Sequence, residues 1–173
     1  MNTRWLSLAL VAVSLSPLAA QAQQALIPAQ SEVAFTSRQM GVPVDGKFKT
    51  FSAQVAFDPS KLATSSITFS VDTGSADISR EANAELPKAT WFNVPKFPQA
   101  VFQSSAIKAL GGGKYEVAGK LSIKGAVKDV TVPVALAQAG GATTATGSFA
   151  IKRLDFKIGD GDWKDTSMVA NDV

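Results

Sequence analysis

The sequence predicts an all-β fold, an antiparallel meander of eight strands, and three observations carry that prediction. The first is a long alternation of apolar and polar residues, clearest from Tyr115 to Leu136. There Tyr115, Val117, Gly119, Leu121 and Ile123 alternate with Glu116, Ala118, Lys120, Ser122 and Lys124, and Val130, Val132, Val134 and Leu136 alternate with Asp129, Thr131, Pro133 and Ala135. Strand side chains point to opposite faces with period two, so this reads as a hairpin with one apolar face. The second observation is the punctuation of the chain by Gly, Pro and Asp at short intervals, and the third is a near absence of helical pattern.

In order, strands are expected over Ser31 to Arg38, about Gly46 to Phe57, and Ser66 to Asp72, with Phe35, Val55, Phe57, Ile67, Phe69 and Val71 marking apolar faces. Asp58-Pro59-Ser60 is a turn signal, because proline presets φ and short polar side chains bond nearby backbone. Arg80 to Leu86 is the one helical candidate, with Asp77 or Ser79 as N-cap and Pro87 behind it. Thr90 to Pro98 holds two prolines among Trp91, Phe92 and Phe97, the makings of an aromatic plug at one end of a sheet. Further strands are expected over Ala100 to Ala109, Tyr115 to Lys124, Val127 to Ala137 and Thr143 to Arg153, and an eighth beginning near Ser167. Eight strands suffice for a small barrel that either fills itself or holds one ligand. Gly119, Ser104, Ala106, Ala145 and Gly147 lie on faces that also carry large apolar residues, which favours an interior that is not packed solid.

Arg4, the apolar run Trp5 to Leu18 and Ala20-Gln21-Ala22 have the layout of a cleavable secretory signal over residues 1–22, too short to span a bilayer. The remaining residues 23–173 make one domain with a sizeable core. The 173 residues contain no cysteine and no histidine, so lipidation on cysteine, disulfides, thiol nucleophiles, imidazole bases and the usual zinc ligands are all excluded. A secreted chain without thiols suits the bacterial periplasm. The formal charge of +3 is scattered among acids, a solvated surface rather than a nucleic-acid patch.

Five groups of residues stand in order along the chain: Ser31-Glu-Val-Ala-Phe35, Gly46-Lys-Phe48 with Phe51 and Phe57-Asp-Pro59, Trp91-Phe92 with Phe97-Pro98 and Phe102-Gln-Ser104, Gly119-Lys-Leu-Ser-Ile-Lys-Gly125 running into Val130 and Pro133, and Arg153-Leu-Asp-Phe156 with Gly159. Together they resemble the YceI-like family, also described as polyisoprenoid-binding proteins. The resemblance implies an eight-stranded antiparallel lipocalin-like barrel with one short helix and an elongated apolar cavity holding an isoprenoid chain, usually in the periplasm. Two departures stand out. Arg38-Gln39-Met40 replaces a histidine often found after the first strand, so no role of that imidazole carries over. Family members also usually continue beyond Val-Ala-Asn-Asp-Val, so the last strand is expected to be cut short at Val173, leaving an edge partly unpaired.

The expected ligand-binding set is Phe35, Phe57, Phe69, Trp91, Phe92, Phe102, Val117, Leu121, Ile123, Val132, Val134, Phe149 and Arg153. The apolar members line a path that a long chain enters by leaving water, at roughly 25 cal/mol per Å². For any one of them alone ordinary core packing is the better reading, and the cavity expectation belongs to the set and rests on the family resemblance. Arg153 falls on the same face as Phe149 and Ile151 when counted by twos, and a buried guanidinium needs an anion. A phosphorylated head group fits, and so does an internal pair with Asp155. Arg38 and Arg80 are secondary head-group candidates.

Gly159-Asp-Gly-Asp-Trp-Lys-Asp165 hints at a cation loop, but Lys164 interrupts it and no distal glutamate follows, so a solvated turn is expected. Asp160 with Asp162, or Asp155 with Asp165, are the only obvious acid and base pairs, and no motif selects them. The leading expectation is therefore a non-enzymatic periplasmic protein that sequesters or transports an isoprenoid or similar amphiphilic lipid. It has no cofactor, no metal, no nucleic-acid partner and no stable membrane anchor, and its oligomeric state stays open, a dimer included. The alternatives are a hydrolase or isomerase acting on such a lipid, and a filled barrel serving as a stress-associated partner of an envelope protein.

Overall fold

The computed structural model describes residues 24–173. The signal segment expected over residues 1–22 lies outside the described residues. The elements are β1 (Val33–Gln39), β2 (Val42–Phe48), β3 (Phe51–Ala56), β4 (Ser66–Asp72), β5 (Ala76–Asp77), α1 (Arg80–Glu85), β6 (Gln99–Gly111), β7 (Lys114–Ile123), β8 (Ala126–Ala139) and β9 (Ala142–Gly147), with 3-10 turns between them. The all-β expectation with one short helix holds. The arrangement of strands differs from the expected eight in series.

Among the described residues nine strands form two antiparallel sheets, one of three strands in the order β1-β2-β5 and one of six in the order β3-β4-β6-β7-β8-β9. The larger sheet is curled as a half-barrel. The reason for two sheets is a corner that alternation does not reveal. Gly46 to Phe57 reads as one strand, yet it breaks at Lys49-Thr50. There the Lys49 N–H donates to the Ser75 carbonyl (3.1 Å), the Thr50 N–H donates to Ser75 Oγ (3.0 Å) and the Asp72 N–H donates to the Thr50 carbonyl (2.9 Å). These bonds fasten the corner to the Thr73–Ser75 turn, so β2 leaves in one sheet and β3 enters the other.

The central hairpin follows the sequence closely. β7 pairs with β8 from Ile123↔Ala126 to Lys114↔Ala135. The two-residue turn between them, Lys124 (φ 48°) and Gly125 (φ 76°), is left-handed at both positions, the backbone that matches strand twist. Ser79 caps α1 by accepting a hydrogen bond from the Ala82 N–H (3.2 Å).

The C-terminal expectations change most. The strand predicted over Thr143 to Arg153 stops at Gly147, and residues 153–156 wind into a 3-10 turn. The eighth strand predicted near Ser167 is reduced to two bridges, Gln39↔Val169 and Lys152↔Asp172. The Ala170 N–H donates to the Arg38 carbonyl on one side, while Ile151 and Val173 exchange bonds on the other. Val169 to Val173 thus ties β1 to the segment that follows β9 along a short seam.

The core sits at one end of the half-barrel. Val71, Ala76, Leu86, Phe92, Ala100, Leu121, Ile123, Phe156 and Ile158 are buried in one cluster, with Phe48, Phe51, Phe69 and Phe102 packed against it.

Candidate functional site: a half-covered apolar sheet face

Register places a largely apolar surface on the concave face of the larger sheet, interrupted by Lys128 opposite Leu121. Residues directly opposite in an antiparallel pair share a face. Phe51↔Val71, Ala53↔Phe69 and Val55↔Ile67 therefore lead through Phe69↔Phe102 and Phe102↔Leu121 to Val117↔Val132 and Tyr115↔Val134. Covering of this face is uneven. Val71, Ala100, Leu121 and Ile123 are buried under the core cluster. Beyond Gly119, only Val117 (3 % exposed) is fully buried, and Val55, Phe57, Ile67, Ile107, Tyr115, Val132, Val134 and Leu136 are half-buried. The eight residue steps from Ile123 to Tyr115 span about 27 Å at strand rise, closed at one end and open at the other.

The closed end is built by the segment from Thr90 to Phe97. Phe92 is buried and meets Phe48 edge-on at 6.1 Å, and the Gly125 turn abuts the Phe97 ring. Thr73 Oγ1 donates to the carbonyls of Phe97 (2.9 Å) and Pro98 (3.0 Å). Lys124 Nζ donates to the Thr90 carbonyl at 3.2 Å, and burial pulls its pKa down from the ordinary lysine value against the opposing pull of Asp160. Trp91 lies 5.5 Å from Trp163, and its indole Nε1 is buried without a hydrogen-bond partner among the described residues.

Two aromatic rings fill the space above strand glycines. A Cβ on Gly119 would sit 2.6 Å from the Phe102 ring and 2.4 Å from the Gln103 carbonyl oxygen, and one on Gly46 would sit 2.4 Å from Phe35. Gly119 therefore does not leave room for a ligand beside the wall, as the sequence suggested. It makes room for Phe102. Phe35 belongs to the three-stranded sheet, with its centroid 5.2 Å from Phe48. Phe69 stacks on Phe51 at 6.0 Å, and Phe57 meets Tyr115 edge-on at 5.3 Å over the open half.

With Phe35 in the other sheet, three expected residues do not line the trough in the way foreseen, and the other two are Phe149 and Arg153. Phe149 follows the end of β9 and is 42 % exposed. Arg153 is 2 % exposed, as predicted, but for another purpose. Its Nε donates to the Ala170 carbonyl (2.9 Å), Nη1 to Ile158 (2.9 Å) and Gly159 (3.0 Å), and Nη2 to Trp163 (2.7 Å) and Val169 (2.8 Å). Guanidinium has five N–H donors, and backbone carbonyls take all five. No donor remains for a phosphorylated head group. Asp155 is exposed and forms no pair with it, because the 3-10 turn breaks the two-residue parity on which that pairing rested. Burial lowers the Arg153 pKa, which Asp160 opposes. Arg38 and Arg80 are both exposed, and Arg38 Nη1 donates to the Gly41 carbonyl at 3.3 Å.

The cation-loop residues form a 3-10 turn over Gly161–Lys164, where Lys164 lies 3.7 Å from Asp160. A pocket of about 450 Å³ opens at the corner between β2 and β3, lined by Pro28, Ser31, Glu32, Lys47, Phe48, Lys49, Thr50 and Phe51.

The family model of the YceI-like domain matches residues 25–173. The chain belongs to the YceI-like family. Among similar proteins, a UPF0312 protein of Vibrio cholerae serotype O1 is 28 % identical over 145 residues, covering 81 % of this chain and 77 % of its own. Among solved structures, BcnA of Burkholderia cenocepacia is 48 % identical with a TM-score of 0.81, covering 84 % of this chain and 92 % of that one. A polyisoprenoid-binding domain from Saccharophagus degradans shares the fold, with a TM-score of 0.64 at 11 % identity over 82 % of this chain and 87 % of that one. Each motif of the YceI-like resemblance has a place in the structure. Gly46 and Gly119 seat aromatic rings, Trp91, Phe92 and Phe97 close one end, and Arg153 knots the C-terminal segment.

Proposed function

We propose that this YceI-like chain is a non-enzymatic carrier that binds a long, mainly apolar amphiphile of the polyisoprenoid type along the open half of the trough, after export to the periplasm. The observation that carries this reading is the strip of half-buried side chains from Val55 and Phe57 across Tyr115 to Val132, Val134 and Leu136, which lies outside the core cluster. A chain laid along it removes apolar surface from water on both partners, at roughly 25 cal/mol per Å². Phe57, Val132 and Val134 are assigned to the walls of the open half and Val117 to its floor, while Phe69, Phe102, Leu121, Ile123, Trp91 and Phe92 form the stop at the closed end. Arg153 is not assigned to the ligand. The likeness to the polyisoprenoid-binding domain supports the reading through the fold. The N-terminal pattern of Arg4, the apolar run and Ala20-Gln21-Ala22 supports export.

Native mass spectrometry of the purified protein, followed by solvent extraction, tests the proposal. Retained lipid, or uptake of an added polyprenyl lipid at one equivalent, is the expected result. A protein that is consistently empty and takes up none is the result that overturns it.

A further inference from the structure

The end of the sheet opposite the aromatic plug carries features that binding in the trough does not itself require. β6 joins β7 through Gly111 to Gly113, and β8 joins β9 through Gly140-Gly141. In an antiparallel meander alternate turns lie at the same end, so both glycine turns flank the open mouth of the trough. The Leu136 N–H donates to the Gly113 carbonyl at 2.8 Å, so the first turn lies level with Leu136, and the second projects four residues further along the β8–β9 hairpin.

Leu110 stands out at this tip. The β6–β7 register passes from Ala109↔Tyr115 to Gly111↔Lys114, which makes Leu110 the extra residue of a bulge. Bulges re-aim side chains, and Leu110 is 51 % exposed. The charges are as selective. No charged residue occurs from Ala109 to Gly113 or from Val130 to Ile151. Lys108 and Lys114 flank the first turn, and the one nearby acid, Glu116, lies 3.9 Å from Lys108.

We propose that this end docks reversibly on an anionic bilayer surface. Leu110 and the two glycine turns enter the head-group layer, Lys108 and Lys114 face the lipid phosphates, and a lipid chain passes along Tyr115, Val134 and Leu136 into the trough. Glycine turns without side chains let the sheet end approach the membrane closely, and a single leucine with two lysines gives weak, salt-sensitive attachment rather than anchoring. The inference rests on the lipid-binding reading, since it supplies the route by which the trough is filled.

The test compares wild type with Leu110→Asp and with the double variant Lys108→Glu/Lys114→Glu, all changes at exposed positions. Flotation with vesicles containing phosphatidylglycerol is expected for wild type at low salt and is lost at about 0.5 M salt. Each variant is expected to bind about tenfold more weakly or less. Transfer of a polyprenyl lipid from these vesicles should slow in the variants, while loading from detergent micelles stays at the wild-type rate. Vesicle binding that is absent in wild type, or equal in all three proteins, overturns the docking proposal. Failure of wild type to load from micelles as well overturns the lipid-binding reading instead, and flotation still decides docking on its own.

Discussion

Arg153→Met removes the five-bonded guanidinium while keeping an unbranched side chain of similar reach, and it should be among the most damaging single changes in the domain. Five backbone carbonyls, those of Ile158, Gly159, Trp163, Val169 and Ala170, lose their donor. Bonds from a charged donor are each worth about 1.5–3 kcal/mol, which sets an upper bound well above 5 kcal/mol. Two effects reduce it. Burying the guanidinium already costs several kcal/mol, which methionine does not incur, and the carbonyls recover water if the C-terminal segment loosens. The expected loss is about 3–5 kcal/mol, comparable with breaking other buried charged networks and a large part of the stability of a typical domain. In a domain of this size it corresponds to a melting temperature lower by about 6–20 °C. Urea titration followed by tryptophan fluorescence reads it well, since Trp91 and Trp163 lie 5.5 Å apart and Trp163 supplies one of the carbonyls. Arg153→Lys keeps the charge without the planar fork and should lose about half as much. Stability within about 0.5 kcal/mol of wild type in both variants would refute the reasoning. So would unchanged stability with selective loss of phosphorylated lipid uptake, which would return Arg153 to the head-group role.

Other perturbations separate packing from binding. Gly119→Val drives a side chain into the Gln103 carbonyl and the Phe102 ring, and should destabilise by about 1–3 kcal/mol or more in the same urea assay. Leu136→Glu, on the half-covered face, should abolish polyprenyl lipid uptake in native mass spectrometry at a stability cost of only about 1 kcal/mol. Undiminished uptake would move the site elsewhere. Ser79→Ala removes the cap of α1 and should cost about 1 kcal/mol by thermal melting. The Asp77 pKa is held below the ordinary aspartate value by its bond from Lys49 and then by that from Asn83. Its stabilisation is therefore full above that ordinary value and is lost as pH falls through the lowered one. The acid limb of the stability curve should be shallower in Asp77→Asn, and an unchanged slope would contradict this.

Periodicity alone determined the all-β class, the β7–β8 hairpin, the short helix and the placement of Trp91, Phe92 and Phe97 at a closed end, because these depend on local alternation, turn chemistry and runs that exclude regular structure. Val117, Leu121 and Ile123 were legible as one inward face for the same reason. What only the tertiary structure decided lies where distant segments meet. The bonds from Lys49 and Thr50 to Ser75 split one predicted strand between two sheets, and no pattern near residue 49 announces a partner at residue 75. The glycines at 46 and 119 signalled a close approach, but which ring approaches follows from register. Leu110 became a protruding residue through a bulge, which is a property of the strand pair rather than of either strand. Arg153 was rightly read as buried, although the strand parity behind that reading fails, since β9 ends at Gly147 and Phe149 is 42 % exposed. Its partners were not legible, because a guanidinium donates to carbonyls as well as to carboxylates, and only folding brings those of Ile158, Gly159, Trp163, Val169 and Ala170 around it.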